Sequence, residues 1–423
     1  MTLLSRAAFI FRRQYVTMRV LFVHHGENWI RGSERAMIDL ADGVRRHGIE
    51  PVVACNAEAV HAAVEDLGIT SMLISEPHRS SPLPGRREIG EWRALIGKVA
   101  PDLVHANSTH SLPPLLACGM LSKIPVVLHQ HILDDQFSRV YSLMHQATAI
   151  VTISEEATLA VAADGYPAER LHRIPNGVTL RTDDETVDVH DLIGVPSNEF
   201  IAMSVGSLIH RKGHDRVIKG FASALARQAD MHLVIVGSGT DEDLLRQLAT
   251  SLGISGNVHF LGERHDVQAL LRSASCYVTG AREEVQPLSV IEAMLSTLPI
   301  VASSIPAHVE MIDEEAGGLL VEADNAEEFA DALVRVAGDS AWVSTTRSYL
   351  ARVAPEQFSF DSFVSRFAEL YSKLAAAPKQ EYGFPRALRG IPAYAHWMRR
   401  ATRTRVLRLA GSMGLRPKEL GMT

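Results

Sequence analysis

Short apolar runs alternate with amphipathic helical patterns along most of this chain, and that alternation leaves few folds open. A run of β-formers that is apolar on both faces must be covered on both faces, as in a parallel sheet sandwiched by helices. The run "RVLFVHH" (19–25) is followed by "SERAMIDLADGVRRHG" (33–48), where Ala36, Met37, Leu40 and Val44 form an apolar stripe. Ser33 reads as its cap and Gly48 as its stop. Strands follow at "PVVAC" (51–55), "LVHAN" (103–107), "PVVLHQH" (125–131) and "AIVTIS" (149–154), which make one Rossmann-like unit. The polar, acidic stretch "TDDETVDVHDLIGVPSNEF" (182–200) has no steady periodicity and reads as a connector. A second alternation then runs through "IAMSVGSL" (201–208), "HLVIVGSG" (232–239), "VHFLG" (258–262), "CYVTG" (276–280), "PIVAS" (299–303) and "GGLLVE" (317–322).

The expected fold class is therefore α/β, with two Rossmann-like doubly wound domains facing across a cleft. Their expected bounds are 18–185 and 199–357, joined by a linker at 186–198. The segment "FSFDSFVSRFAELYSKL" is expected to form a helix (358–375) returning to the first domain. Ligands of open α/β sheets collect at the carboxyl ends of strands, so that end of each sheet is where a site is expected.

At 423 residues the chain can bury two or three cores, and its 46% hydrophobic and 22% charged composition is that of a globular protein. A formal charge of −7 argues against an electrostatic grip on nucleic acid. Cys55, Cys118 and Cys276 are few, odd in number and far apart, which fits a reducing, cytoplasmic compartment. No window is long and apolar enough for a membrane span. Residues 1–17 form a basic, partly apolar extension that reads as an overlong start, since Met18 directly precedes the first strand. Residues 376–423 carry ten Lys or Arg against two Glu, a local net of +8. Such a tail is either a solvated basic segment or a peripheral contact with an anionic membrane surface.

Four stretches could carry chemistry. "VIVGSGTDED" (234–243) sets Gly237 and Gly239 between a strand and a helix, but Glu242 stands where a dinucleotide fingerprint needs its third glycine. It reads as a tight turn with a possible ligand role. "VGSLIHRKGHDRVI" (205–218) puts Arg211 and Lys212 in a loop before a helix starting near His214. Adjacent cations there can neutralise a diphosphate; the plainer alternative is an exposed basic loop. In "AREEVQPLSVIEAML" (281–295), Pro287 reads as the first residue of a helix. The free N–H groups of Leu288, Ser289 and Val290 would then meet a phosphate at the helix's positive end. Glu292, one turn in, could accept from ribose hydroxyls, and Glu284, in the loop before, from a sugar beyond the diphosphate. Two acidic residues at a helix start are also common on plain surfaces. Finally, His129 and His131 share one face of a strand, but no carboxylate or cysteine partner for a metal is evident.

Taken in order, these segments resemble the family-4 retaining glycosyltransferases, which have the GT-B fold. "GAREEVQPLSVIEAMLSTLPIVASS" resembles their E-x7-E region, and the likeness runs over roughly residues 18–375. "RGSERAMIDLADGVRRHG", "PDLVHANSTHSLPPLLA", "IPVVLHQH", "VTISEEA", "RIPNGV", "VGSLIHRKG", "IVGSGTDEDLLRQLA", "VHFLGERHDV" and "PAHVEMI" occur in the family's order. The resemblance implies that the first domain takes the acceptor and the second a nucleotide-diphosphate sugar. It implies that Glu292 binds ribose, Glu284 contacts the donor sugar, Arg211 and Lys212 hold the diphosphate, and His131 lies near the donor sugar. Those last four are the catalytic candidates. Gly32, Gly206, Gly237, Leu288 and Ser289 complete the donor-binding set, and no metal or other cofactor is required. Retention would follow a front-face substitution in which the donor phosphate helps deprotonate the acceptor, a glycan or lipid-linked glycan for surface polysaccharide.

The sequence also departs from the family pattern. Ser207 stands where many relatives carry arginine, and Val285-Gln286-Pro287 replaces a frequent glycine-aromatic-glycine. Thr297 replaces a common glycine, and "SIPAHVE" keeps Glu310 without the preceding glycine pair. Two rivals remain: a catalytically silent sugar-nucleotide-binding protein, made conceivable by Ser207 and Pro287, and a sugar-nucleotide epimerase on the same frame.

Overall fold

The computed structural model describes residues 18–75, 86–112, 115, 124–131, 144–179 and 187–377. The expectations for residues 1–17, for Cys118 and for nearly all of the basic tail lie outside them, as does the start of the connector.

The chain divides into two compact units. The first comprises the chain up to Thr152, Ala160–His172 and the chain from Ser365; the second comprises Ile153–Leu159 and Arg173–Val364. The first holds a seven-stranded sheet of order β3-β2-β1-β4-β5-β6-β7. Its strands are β1 (Met18–His24), β2 (Ile49–Cys55), β3 (Thr70–Leu73), β4 (Leu103–Ala106), β5 (Val126–Gln130), β6 (Ala149–Thr152) and β7 (Leu171–Arg173). Strand β1 pairs in parallel with both β2 and β4. The strand order reverses between them, so the loops after β1 and β4 diverge and leave a crevice at their carboxyl ends. Val20, Leu21, Phe22 and Val23 are fully buried, as a central strand covered on both faces requires.

A polar group lies deep in this core. His105 of β4 is fully buried, and its Nδ1 accepts from the Tyr371 hydroxyl at 2.6 Å. Tyr371 belongs to the helix Phe360–Ala376, whose part from Ser365 onward is in the first unit. There it packs with Phe367 against His105 and Phe22. The hydrogen bond offsets part of the penalty of a buried polar ring, and two aromatic side chains supply the apolar area that holds the helix down.

The second unit holds a six-stranded sheet of order β10-β9-β8-β11-β12-β13. Its strands are β8 (Phe200–Val205), β9 (Met231–Val236), β10 (Val258–Phe260), β11 (Cys276–Thr279), β12 (Ile300–Ser303) and β13 (Gly318–Val321). Strand β8 pairs in parallel with β9 on one side and β11 on the other. The switch point falls between β8 and β11, so the crevice of this sheet opens at their carboxyl ends.

Several local expectations are corrected. The first helix runs Gly32–Gly43 with Arg31, not Ser33, at its N-cap. It gives way to a 3-10 turn, Val44–His47, before Gly48 at φ 73° stops it. The connector contains a helix, Val189–Ile193, capped by the Asp188 side chain, which accepts from the His190 N–H at 2.9 Å. One turn and a half is too short to show periodicity. Strands β3 and β7 were not expected: both are part-exposed edge strands with no continuous apolar run.

The first unit's histidines make stability depend on pH. Burial pushes His25 and His105 down to about 3 and His129 well below its ordinary value, so all three are neutral in the fold. The unfolded chain binds their protons from about pH 6.5 downward while the folded chain does not, so stability present above that pH is lost as pH falls. Each contributes about 1.4 kcal/mol per pH unit. We expect urea unfolding at pH 5.5 to show about 4 kcal/mol less stability than at pH 7.5 from these three groups. An unchanged midpoint would mean that they take up protons without unfolding.

Candidate functional site

The loop after β8 carries Gly206, the exposed Ser207 and a 3-10 turn, His210–Lys212, before Gly213 opens the helix His214–Leu225. Gly213 has φ 65°, and a Cβ there would fall 1.8 Å from the Gly280 carbonyl oxygen. Glycine is thus required twice over, by conformation and by the backbone of the loop after β11. Arg282 of that second loop ties the two together. Its N–H donates to the Arg211 carbonyl at 2.8 Å, and its guanidinium donates to the His210 carbonyl and to both Asp215 oxygens at 2.7–2.8 Å. Burial alone would raise the Asp215 carboxyl, but the fork of Arg282 outweighs it and holds the group below the usual carboxylate range.

This stapling brings Arg211, Lys212 and Glu284 together. The Glu284 side chain is only 8% exposed. Its carboxylate accepts from Arg211 Nη1 at 2.9 Å and lies against Lys212 Nζ. Arg211 also donates to the Glu283 carbonyl at 2.8 Å. A carboxylate so enclosed is stable only when paired, and here two cations compensate it. Arg211 remains 44% and Lys212 20% exposed, so an incoming anion can still reach both.

The helix Leu288–Leu295 begins beside this cluster. Pro287 is its N-cap, at φ −72° and ψ 119°, and not its first helical residue. The expectation of three free N–H groups is corrected too. Val290 donates back to the Pro287 carbonyl at 3.2 Å, as does Ile291 at 3.3 Å. Among the described residues the N–H groups of Leu288 and Ser289 have no backbone acceptor. Tyr277, from β11, donates its hydroxyl to Ser289 Oγ at 2.8 Å and so fixes that helix end on the sheet. Burial pushes the Tyr277 phenol far up, and the carboxylates of Glu284 and Glu292 add to this, so it stays a donor. Glu292 lies one turn into the helix, part-exposed.

The departures from the family pattern have local uses. Gln286 turns inward and its Oε1 accepts from the Asn176 N–H at 2.6 Å, tying the loop to "RIPNGV". Glu310 accepts the Glu155 N–H at 2.7 and 2.8 Å and pairs with Arg173 at 3.2 Å. Thr297 adopts a left-handed backbone, at φ 59°, a conformation glycine takes most readily. Gly237, at φ 141°, lies where a Cβ would be 2.0 Å from the Gly206 carbonyl oxygen, so the turns after β8 and β9 interlock.

In the first unit the crevice between β1 and β4 is lined differently. His131 Nε2 lies 3.0 Å from Asn107 Oδ1, and Asn107 Nδ2 donates to the Ser33 carbonyl at 3.2 Å and faces His24 Nδ1 at 3.3 Å. His24 Nε2 lies 3.4 Å from Glu34, whose other oxygen accepts the Arg31 N–H at 3.0 Å. Gly32 is the first residue of the helix that carries Glu34. His129 and His131 are neighbours, with ring centroids 3.9 Å apart. Among the described residues no cluster of three or more His, Cys, Asp or Glu could hold a metal.

Sequence reasoning missed Arg282, Asp215, Tyr277, Asn107 and Glu34. None touches the proposed ligand in a recognisable motif; each acts by holding another group, a role visible only once distant loops are adjacent.

Comparison with known proteins agrees with this architecture. The family model "Glycosyltransferase Family 4" matches residues 30–182 and "Glycosyl transferases group 1" matches 189–354, together well over half of the chain. An uncharacterized glycosyltransferase of Haemophilus influenzae is 30% identical over 211 residues, 48% of this chain and 59% of that one. UDP-Gal:alpha-D-GlcNAc-diphosphoundecaprenol alpha-1,3-galactosyltransferase of Escherichia coli is 29% identical over 265 residues, 58% of this chain and 68% of that one. The matched regions span between 53% and 61% of the length of the first curated relatives. Among solved structures, Anabaena Alr3699/HepE in complex with UDP superposes with a TM-score of 0.73 at 22% identity, covering 84% of this chain and 100% of that one. The fold is GT-B, with two Rossmann-like domains. The chain belongs to the family-4 glycosyltransferases.

The interlocked turns give a stability test. Gly237→Ala combines a strained φ with a backbone clash, and should cost about 2–4 kcal/mol. Gly253→Ala has the milder strain of a left-handed φ of 73° and nothing within 4 Å, and should cost about 1 kcal/mol. Equal unfolding midpoints for the two variants would show that the Gly206–Gly237 contact carries no constraint.

Proposed function

We propose that the protein is a retaining, metal-independent glycosyltransferase that moves a sugar from a nucleotide-diphosphate sugar to a glycan or lipid-linked glycan in surface polysaccharide biosynthesis. The observation that carries this reading is the enclosed Glu284 carboxylate paired with Arg211 and Lys212, next to the open N–H groups of Leu288 and Ser289. Cations and a helix N-terminus converge where a diphosphate would place its charge. Glu284 and Glu292 add acceptors on either side of it for sugar and ribose hydroxyls. The similarity to an Escherichia coli enzyme whose name specifies a lipid-diphosphate acceptor supports the acceptor class, and the likeness to a fold solved with UDP supports a nucleotide donor.

The chemistry follows from these groups. Charge grows on the departing diphosphate as the glycosidic bond to phosphate breaks, and Arg211 and Lys212 stabilise it most at that moment. Ribose contacts by Glu292 are the same before and during bond breaking, so they contribute to binding alone.

Two measurements test this. Glu292→Ala should raise the donor Kd about tenfold or more with kcat little changed, whereas Lys212→Ala should lower kcat about a hundredfold or more. Normal affinity and turnover in both would place the nucleotide elsewhere. EDTA should leave turnover within about twofold, since the cations and the helix end take the electrostatic role of a metal. A loss restored by manganese or magnesium would overturn the metal-free assignment.

A further inference from the structure

We infer that Asn107, backed by His24 and Glu34, is a positioning residue that holds His131 as the neutral Nε2–H tautomer and so presents its Nδ1 lone pair as a hydrogen-bond acceptor. The inference rests on the proposed transfer from a sugar donor and on the family resemblance, which implies that His131 lies near the donor sugar. It adds which atom of His131 meets the ligand, and in which protonation state.

The direction of each bond follows from what its partner can do. The Ser33 carbonyl can only accept, so the Asn107 atom 3.2 Å from it is Nδ2, and Oδ1 is left to face His131. The nitrogen 3.0 Å from Oδ1 must then donate, so the proton of a neutral His131 is on Nε2 and its bare nitrogen is Nδ1. Nδ2 also faces His24 Nδ1 at 3.3 Å, so that nitrogen accepts and His24 carries its proton on Nε2. His24 Nε2 lies 3.4 Å from the Glu34 carboxylate, an acceptor. The hydrogen bonds thus run one way, from His131 through Asn107 to His24. His24 Nε2 then faces the Glu34 carboxylate without hydrogen-bonding to it, and Glu34 takes the Arg31 N–H at the start of the helix.

Packing holds the series in place. His24 is 3% and Glu34 6% exposed, and Asn107 is buried as well. A Cβ on Gly26 would lie 2.3 Å from His24 Nε2, so the backbone of the loop after β1 is pressed against that ring. Asn56 clamps the same loop through two 2.9 Å bonds to Gly26. Around His131 itself stand His24, His105 and His129, all imidazoles, with Glu34 reached only through His24. Among the described residues no carboxylate touches it directly, and burial, with the His24 ring beside it, holds it down to about 3. His131 Nδ1 has no partner among the described residues. An acceptor-only nitrogen of this kind takes a hydrogen bond from a hydroxyl and cannot donate one to a carbonyl or phosphate oxygen. The ligand group it suits is therefore a free sugar hydroxyl.

The tautomer can be observed without any ligand. In full-length protein labelled with 15N at histidine, two-bond imidazole couplings identify the tautomer of the ring whose signals vanish in His131→Gln. We expect Nε2–H, neutral from pH 8 to below pH 5. Nδ1–H, or an imidazolium at pH 7, would overturn the inference whatever the activity. In Asn107→Asp a carboxylate replaces the amide; it cannot donate to His24 and favours a charged His131. The His131 titration, read from the same couplings, should then move up by more than one pH unit. Asn107→Leu removes the bond without adding charge and should leave the titration low. A merely structural role for Asn107 would give Asp and Leu variants with the same pH profile, and that result would refute positioning. Full turnover in His131→Ala would instead refute the placement of His131 at the donor, while the NMR result would stand.

Discussion

The second unit depends on one buried charge. Taking the Glu284 carboxylate out of water would cost several kcal/mol if it stood alone, more than a single surface ion pair returns. Arg211 and Lys212 remove that cost, but only because the loops after β8 and β11 are held in contact. Gly213 permits the close approach and Arg282 fastens it through Asp215 and two carbonyls. Loop geometry, glycine placement and the Arg282–Asp215 fork can therefore be understood as support for one enclosed anion and its two cations. In the reading we favour, that arrangement has a further consequence. A diphosphate reaching Arg211 and Lys212 enters competition with Glu284, and the carboxylate is released toward the sugar just as the cations are engaged by phosphate.

The two units place opposite electrostatics at equivalent positions. Each sheet changes direction at one point, between β1 and β4 in the first and between β8 and β11 in the second. In the second unit that point collects full charges, the part-exposed Arg211 and Lys212 around the enclosed Glu284. In the first it collects neutral imidazoles and an amide beside the buried Glu34, with burial keeping His25, His105 and His131 down near 3. The physical reason is depth. Arg211 and Lys212 are on a loop that reaches water, whereas His105 and His129 project from the central strands β4 and β5, where burial strips solvent from any charge.

The sequence made the alternation of strands and helices legible because a central parallel strand must be apolar on both faces. Strand β1, buried along nearly its whole length, is the clear case. It did not make β3 or β7 legible, since an edge strand may be polar where it meets water. It indicated a helix at the second glutamate but misplaced its first residue, because Pro287 satisfies either N-cap or first-turn geometry and only ψ decides. Arg211, Lys212 and Glu284 were legible as residue types at suggestive spacing. That Glu284 is neutralised by those same two cations was not, since the pairing spans more than seventy positions and is made by the fold.

Gln286 shows how a departure from a family pattern should be weighed. Read from sequence alone, replacing glycine-aromatic-glycine by Val285-Gln286-Pro287 puts the site in doubt, since Pro287 supplies no N–H. In the fold, a proline at the N-cap removes no donor from the first helical turn, and the Leu288 and Ser289 N–H groups remain. Gln286 in turn spends its carbonyl on the Asn176 N–H at 2.6 Å, a contact that fixes the loop from within. An aromatic side chain at that position could offer no such acceptor. The substitution exchanges one way of holding the loop for another while leaving the charged cluster intact.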